Sequence, residues 1–459
     1  MEEFRTEHDS MGSLNVAAEA LYGAQTQRAI NNFPISNLRM PENFIQALLL
    51  AKSAAAQANV SLAQIPPEMG QAIRDAVTLL QKDPALMSHF PVDVFQTGSA
   101  TSSNMNANEV LANLASKIYG EKISPNDHVN CGQSSNDIIP TTLHISAALA
   151  LDNNLIPALT HLAKTIREKA SKVDGFIKTG RTHLMDAMPI RLSQSLEAWA
   201  DQIEQNINRI TPLQADIQRL AQGGTAVGTG INAHPAFAKE FNTALTAMTG
   251  IKFQPAKNFF THIGSQDSAV ALSGQLKTTA VSIIKIANDL RWMNSGPLAG
   301  LGEIELQALQ PGSSIMPGKV NPVIPEAAAM VGAQVVGNDA AITLAGQSGN
   351  FELNVMLPLI AHNLLSSINI LANVSTLLAD KAIATFTVNE KSLNEALTRN
   401  PILVTALNPI IGYQKAAEIA KLAYAENRPI VDVAEQHTEL SRNELERLLD
   451  PKKLTLGGI

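Results

Sequence analysis

The chain has 459 residues, of which 45% are hydrophobic and 16% charged, and its formal net charge is -7. That length suits about two or three domains and a core held without metal or disulfide, and the apolar balance excludes a disordered chain. The acidic sum, with no clustered basic surface, argues against a nucleic-acid binder.

The first residues, with Glu2, Glu3, Glu7 and Asp9, contain neither the apolar centre of a secretory signal nor an arginine-rich transit pattern. The single cysteine, Cys131, cannot close an intrachain disulfide and is expected to be a small packed side chain. Both features predict a cytoplasmic protein. No uninterrupted apolar stretch is expected to reach membrane-spanning length, so no membrane is expected as a partner.

From Pro41 onward, segments rich in Ala, Leu, Ile and Gln place apolar residues at helical spacing, which predicts a mainly α chain. Helices are expected at about 142 to 172 and along 192 to 220. In the second, Leu192, Leu196, Trp199, Ile203, Ile207, Ile210, Leu213, Ile217 and Leu220 form one stripe that Pro212 should bend or break. Further helices are expected at about 266 to 294 and 355 to 380. Between these two, 327 to 346 alternates Ala, Gly and Val, as suits a helix at the centre of a crowded bundle. Composition changes near residues 132 and 390 divide the chain into a mixed but mostly helical domain at 1–132, a helical-bundle domain at 133–389 and a small helical domain at 390–459. So few charges over this length also point to contacts between subunits.

Four polar, glycine-rich stretches interrupt the helices, and reacting groups commonly lie on such loops. Thr97 to Glu109 carries the hydroxyls of Ser99 and Thr101, and Asn126 to Thr142 carries Ser134, Ser135 and Asn136. Each can be read as a capped helix start or as a cradle of donors for a carboxylate; two such clusters suit a dianion. Gly180 to Arg191 places Thr182 and His183 just ahead of a helix, beside Arg181 and Asp186, and imidazole suits acid/base work near neutral pH. Pro311 to Glu326 gathers Ser313, Ser314, Lys319 and Asn321 between Gly312 and Gly318, a concentration of polar groups unusual for a purely structural loop.

Other motifs fail on spacing. Gly312 to Lys319 is one residue too long for a phosphate-binding P-loop, and Val320 stands where Ser or Thr is required. Gly228 to Ala233 lacks the strand that a dinucleotide fingerprint must follow. The histidines show no metal-ligand spacing, and the serine-hydrolase elbow is absent at Ser313. No metal or cofactor is expected.

Gly312 to Pro322 resembles the signature of the fumarase/aspartase superfamily, and the other three stretches resemble its remaining catalytic regions in the same order. The likeness runs from Tyr22-Gly-Ala-Gln-Thr-Gln27 to Thr405-Ala-Leu-Asn-Pro409. It is closer to class II fumarases than to aspartases at Gly180-Arg-Thr-His183, at Gly318-Lys319 and at Ser348-Gly-Asn-Phe-Glu-Leu-Asn354. The resemblance implies a three-domain, mainly α fold whose long central helices form a twenty-helix core in a homotetramer, with each active site built from three subunits. It also implies the reversible, stereospecific hydration of fumarate to L-malate by anti addition through an aci-carboxylate, a step of the tricarboxylic acid cycle. An alternative is aspartate ammonia-lyase or another fumarate-releasing lyase. A non-catalytic scaffold of this fold, such as some lens crystallins, should lack His183, Ser313 or Lys319, and all three are present.

The same likeness implies roles. Ser313 takes the C3 proton of malate, His183 protonates the departing hydroxyl through a water, and Glu326 orients the imidazole. Lys319, Asn321 and backbone amides of the 312–321 loop are expected to stabilise the aci-carboxylate. Ser99, Thr101, Ser134, Ser135, Asn136, Thr182 and Ser314 hold the substrate carboxylates. Related fumarases have a second carboxylate site at a His-Pro-Asn-Asp turn, where this chain has Ser124, Pro125, Asn126 and Asp127, with Glu121 where some relatives have an upstream arginine. That second site is expected to be weak or missing.

Overall fold

The computed structural model describes residues 3–457, so Met1, Glu2, Gly458 and Ile459 lie outside the described residues. The chain is mainly α, and its described strands pair only into two-stranded ribbons. Its described residues form two compact units. One runs up to Pro157 and adds Asn208–Ala280 and Ala333–Ala372; the other takes Ala158–Ile207, Val281–Gly332 and the residues from Asn373 onward.

The apolar periodicity is realised as helix. Leu192–Ile210 buries Leu192, Leu196, Trp199, Ile203 and Ile210, and the helix stops before Pro212, which lies in the 3-10 turn Thr211–Leu213. That stop follows from the missing proline N–H and the clash of its ring with the preceding turn. The expected helix at 142 to 172 extends from Ser135 to Lys172, as Ser135–Ala150 and Ile156–Lys172 joined by the wider π-turn Leu151–Leu155. Asp267–Met293 and Leu357–Leu378 lie where the spacing places them.

In the first unit, Glu42–Ser61 is apolar on nearly every side and packs against Pro67–Gln81, Ser135–Ala150 and Phe237–Thr249. Phe44, Leu48 and Leu49 of that helix are buried, as are Leu111, Leu143, Phe237 and Phe241 on its neighbours. In the second unit, Ile177–Thr182 and Met185–Arg191 form an antiparallel hairpin. Its C-terminal helices close over Leu407, Ile419, Val433 and Leu445.

Three expectations need correction. First, although polar residues such as Asp339 and Asn363 interrupt them, two helices, Val323–Gly346 and Leu357–Ile383, are long and apolar enough to cross a membrane by length and composition, so the lack of an uninterrupted apolar stretch does not by itself exclude a span. An all-round apolar helix is also what a packed bundle requires, and 61% of the most apolar window of Leu357–Ile383 is buried within the chain. Secondly, Val323–Gly346 is not enclosed by the one chain: its corresponding window is 33% buried, and Met330, Val336 and Leu344 are exposed. Thirdly, Cys131 is only partly buried, because it sits on the turn that precedes Ser134. Burial and then the charge of Asp127 push its thiol upward in pKa.

Candidate active site

In the first unit, the Thr101–Tyr119 helix starts from Ala100, which adopts left-handed backbone with φ 54°. Gly98 is obligatory just before it, since a Cβ there would lie 1.9 Å from the Val355 carbonyl oxygen. This close approach sets the Ser99 and Thr101 hydroxyls 2.9 Å apart. The nearby Ser103 amide and hydroxyl both donate to Gln96 Oε1, so this N–H of the first turn is met without using the Ser99 or Thr101 hydroxyl.

The second donor cluster opens the Ser135–Ala150 helix. Ser134 and Asp137 form a reciprocal capping box, and the Ser134 N–H donates to Asp137 Oδ1 at 2.8 Å. Asp137 Oδ2 accepts from Gln222 Nε2 and from the backbone amides of Gly223 and Thr225. Burial raises the Asp137 carboxyl to about 6 in spite of those donors and of the Lys52 charge. Asn136 donates from its amide nitrogen to the Ala226 carbonyl, and Ser135 Oγ accepts from Asn104 Nδ2 at 3.0 Å. Thus the two donor clusters meet through Asn104, one turn into the first helix.

Lys52, fully buried on Glu42–Ser61, completes this region from below. Its ammonium donates to Asn130 Oδ1 at 3.1 Å and Gln133 Oε1 at 2.8 Å. Burial lowers it to about 7, against the pull of the Asp137 charge. The sequence offered the Asn104 amide within the first donor cluster, but Lys52, Asn130, Gln133 and Asp137 were not singled out as functional. Asn104 and Asn108 at helical spacing, and Asp137 three residues after Ser134, are the signals that pointed to them.

In the second unit, Thr182 and His183 are exposed at the tip of the hairpin. His183 and Leu184 have φ of 57° and 61°, the positive pair that a tight hairpin turn demands. The expectation of a loop just ahead of a helix is therefore corrected: the strand Met185–Arg191 separates His183 from the helix at Leu192. Arg181 Nη1 and Lys178 Nζ reach the buried carboxylate of Glu303 at 2.6 and 2.7 Å, which fixes the strand below the turn.

The 312–321 loop closes on itself. The Gly312 N–H donates to the Lys319 carbonyl at 2.8 Å, Asn321 Nδ2 donates to the Gly312 carbonyl at 2.7 Å, and Lys319 Nζ donates to Asn321 Oδ1 at 2.9 Å. A Cβ at Gly312 would meet the Lys319 carbonyl oxygen at 2.7 Å, so that closure requires glycine. Ser313 Oγ accepts from the Ile315 and Met316 backbone amides at 3.3 and 3.1 Å. Ser314 is exposed beside it. Lys319, Asn321 and Glu326 line an open cavity of about 1050 Å³ together with Arg291 and Trp292. Among the described residues, no hydrogen bond joins His183 to Glu326.

At the turn expected to be a weak or missing second site, Ser124 Oγ accepts from the Asp127 N–H at 3.1 Å and donates to Asp127 Oδ2 at 2.8 Å. The Ser124 N–H donates to His128 Nδ1. Pro125 and Asn126 follow in the π-turn Pro125–Val129. Among the described residues, no group of three His, Cys, Asp or Glu side chains is placed to hold a metal ion.

Residues 12–337 match the family described as Lyase, and residues 403–456 match that described as Fumarase C C-terminus. The chain is 69% identical over 460 residues to fumarate hydratase class II 2 of Pseudomonas aeruginosa, covering 100% of each. It is 57% identical over 458 residues to fumarate hydratase class II of Xylella fastidiosa, covering 100% of this chain and 97% of that one. The crystal structure of class II fumarase from Schistosoma mansoni has a TM-score of 0.95 to it, at 36% identity and with 99% of each chain covered. With full-length likeness in sequence and in fold, the chain belongs to the class II fumarate hydratase family.

Proposed function

We propose that the chain catalyses the reversible, stereospecific hydration of fumarate to L-malate, by anti addition through an aci-carboxylate, as a step of the tricarboxylic acid cycle. Beyond family membership, the observation that carries this reading is Ser313: its oxygen accepts two backbone N–H groups inside a loop closed by Lys319 and Asn321. Donors aimed at a hydroxyl oxygen favour its alkoxide, the form needed to take a proton from carbon.

In the dehydration direction, Ser313 removes the C3 proton of malate, and the electron pair moves onto the neighbouring carboxylate. Lys319, Asn321 and the loop amides stabilise that charge. The pair then returns to form the double bond as the C2 hydroxyl leaves as water, protonated by His183 through a bound water, with Glu326 orienting the imidazole. Ser99, Thr101, Ser134, Ser135, Asn136, Thr182 and Ser314 hold the two carboxylates. We expect Ser313→Ala to lower kcat by about a hundredfold or more, with KM changed by less than about threefold; near-native turnover would show that another group is the base.

A homotetramer with a twenty-helix core, and active sites drawn from three subunits, belongs to this reading. It is supported by the exposed apolar residues of Val323–Gly346, which need covering, and the exposed Gln334 among them favours protein over lipid as the cover. The division at residues 132 and 389 remains part of the reading, with the donor clusters flanking the first boundary. Cytoplasmic residence is supported by the lone cysteine. The second carboxylate site is weak or missing here, because Ser124 and Asp127 satisfy each other; a dicarboxylate seen at 124–127 at modest concentration would contradict that.

The deciding experiment follows ultraviolet absorbance of the fumarate double bond after the enzyme is mixed with malate, aspartate or argininosuccinate, each with EDTA. A rise with malate alone is expected. Silence with malate and a rise with an amino compound would move the chain to another lyase activity.

A further inference from the structure

We propose that Lys52 is a positioning residue for substrate binding, acting through Asn130 and Asn104 to aim the Ser135 hydroxyl at a substrate carboxylate; this rests on the fumarate hydratase reading given above. Lys52 is 0% exposed in the middle of a helix, flanked by the buried Leu48, Leu49, Ala51, Ala54, Ala55 and Ala56. An ammonium in such a place costs several kcal/mol unless its surroundings answer it, and a methionine of similar length would pack there without that cost. Packing therefore does not account for the lysine. Its hydrogen-bond partners are two amide oxygens, and among the described residues no carboxylate lies within ion-pair distance of it.

The charge meets an unusual acceptor. Asn130 Oδ1 receives Lys52 Nζ at 3.1 Å, Asn104 Nδ2 at 3.2 Å and Asn108 Nδ2 at 3.2 Å. Three donors on one carbonyl fix the Asn104 amide, because a flipped Asn104 would set its oxygen against Asn130 Oδ1. The fixed Asn104 nitrogen also donates to Ser135 Oγ at 3.0 Å. With that lone pair occupied, the Ser135 proton is left to donate elsewhere. Asn130 Nδ2 holds the Gln133 carbonyl, while Gln133 Nε2 holds those of Val129 and Cys131, so the turn before Ser134 is tied to the same ammonium.

The arrangement acts on binding of the dianion and not on the proton at C3, which separates it from a role in stability alone. Loss of folded enzyme lowers apparent kcat and leaves KM unchanged, whereas a misdirected Ser135 raises KM. The experiment compares wild type and Lys52→Met with malate, after circular dichroism has verified the fold. A KM raised by about tenfold with kcat within about threefold is expected. An unchanged KM, with or without a fall in kcat, overturns the proposal. Should Lys52→Met fail to fold, Asn104→Ala breaks the link to Ser135 while keeping the charge, and the same two outcomes apply. A wild type silent with malate overturns the fumarate hydratase reading, and the inference with it.

Discussion

His144 is buried, with its Nδ1 2.9 Å from the Arg219 carbonyl oxygen and its ring edge-to-face with His262 at 5.8 Å. Burial first, then the facing His262, lower its pKa to about 4 from an ordinary 6.5. Between those two values the unfolded chain binds a proton that the folded chain refuses. The stability carried by neutral His144 is thus complete above pH 6.5 and is lost as pH falls through 4, by up to ~3 kcal/mol. Asp137, raised to about 6, contributes with the opposite sign over much of this range, so wild type alone cannot isolate the effect. Urea unfolding of wild type against His144→Asn, which keeps a donor near the Arg219 carbonyl, should show the wild-type advantage shrinking from pH 7 to pH 4. A difference independent of pH would mean that His144 is not held neutral. At this scale the legible residues were those with unusual polar chemistry in glycine-rich sequence, such as Ser313 and Lys319. Lys52 was hidden because one lysine in an apolar helix reads as a solvated edge until its burial is seen.

The Ala24–Asn32 helix begins at Gly23, which has no side chain to cap it. Its free N–H groups are met by Glu109, which accepts from the Gly23, Gln25 and Thr26 amides at 2.9, 2.8 and 3.1 Å and from the Thr26 hydroxyl at 2.6 Å. A carboxylate at a helix N-terminus gains from both the hydrogen bonds and the dipole. Glu109→Gln replaces one acceptor oxygen by a donor facing donors, so it should lower stability by about 2 kcal/mol, read as a lower urea midpoint with earlier exchange of the Gly23 to Thr26 amides. An unchanged midpoint would mean that water serves the helix end equally well. The cap is one residue, Glu109, that lies 83 to 86 positions from the amides it meets, beyond any local sequence window. Long helices were legible because their stripes repeat several times. The hairpin around His183 was not: its turn contains neither glycine nor asparagine, and its strands are interrupted by a register shift between Thr179 and Arg181. The same lack of periodicity concealed the Phe4–Asp9 and Gly12–Ala17 ribbon.

For the whole molecule, the exposed side chains of Met330, Val336 and Leu344 along one helix form an apolar surface that association with further copies would bury. Leu344→Glu places a charge on that surface without touching a proposed catalytic group. It should move the protein to smaller species in sedimentation and lower specific activity by at least about tenfold at dilute enzyme. A fully active, unchanged oligomer would place the subunit contact elsewhere. That the chain is helical, and which four stretches are polar, could be read locally; which segments share a unit could not, because each unit is composed of three separated stretches of sequence.

Those separated stretches also impose an order in time. The first unit takes residues up to Pro157 but also Ala333–Ala372, and the second takes residues beyond Asn373. A ribosome must therefore pass Ala372 before the first unit has all its parts, although about half of the chain, in that unit's first two segments, has long since emerged. During that interval the apolar faces of Glu42–Ser61 and Ser135–Ala150 wait for later segments, in a chain where closing distant contacts is slow. For this protein, synthesis and folding cannot proceed as one domain after another.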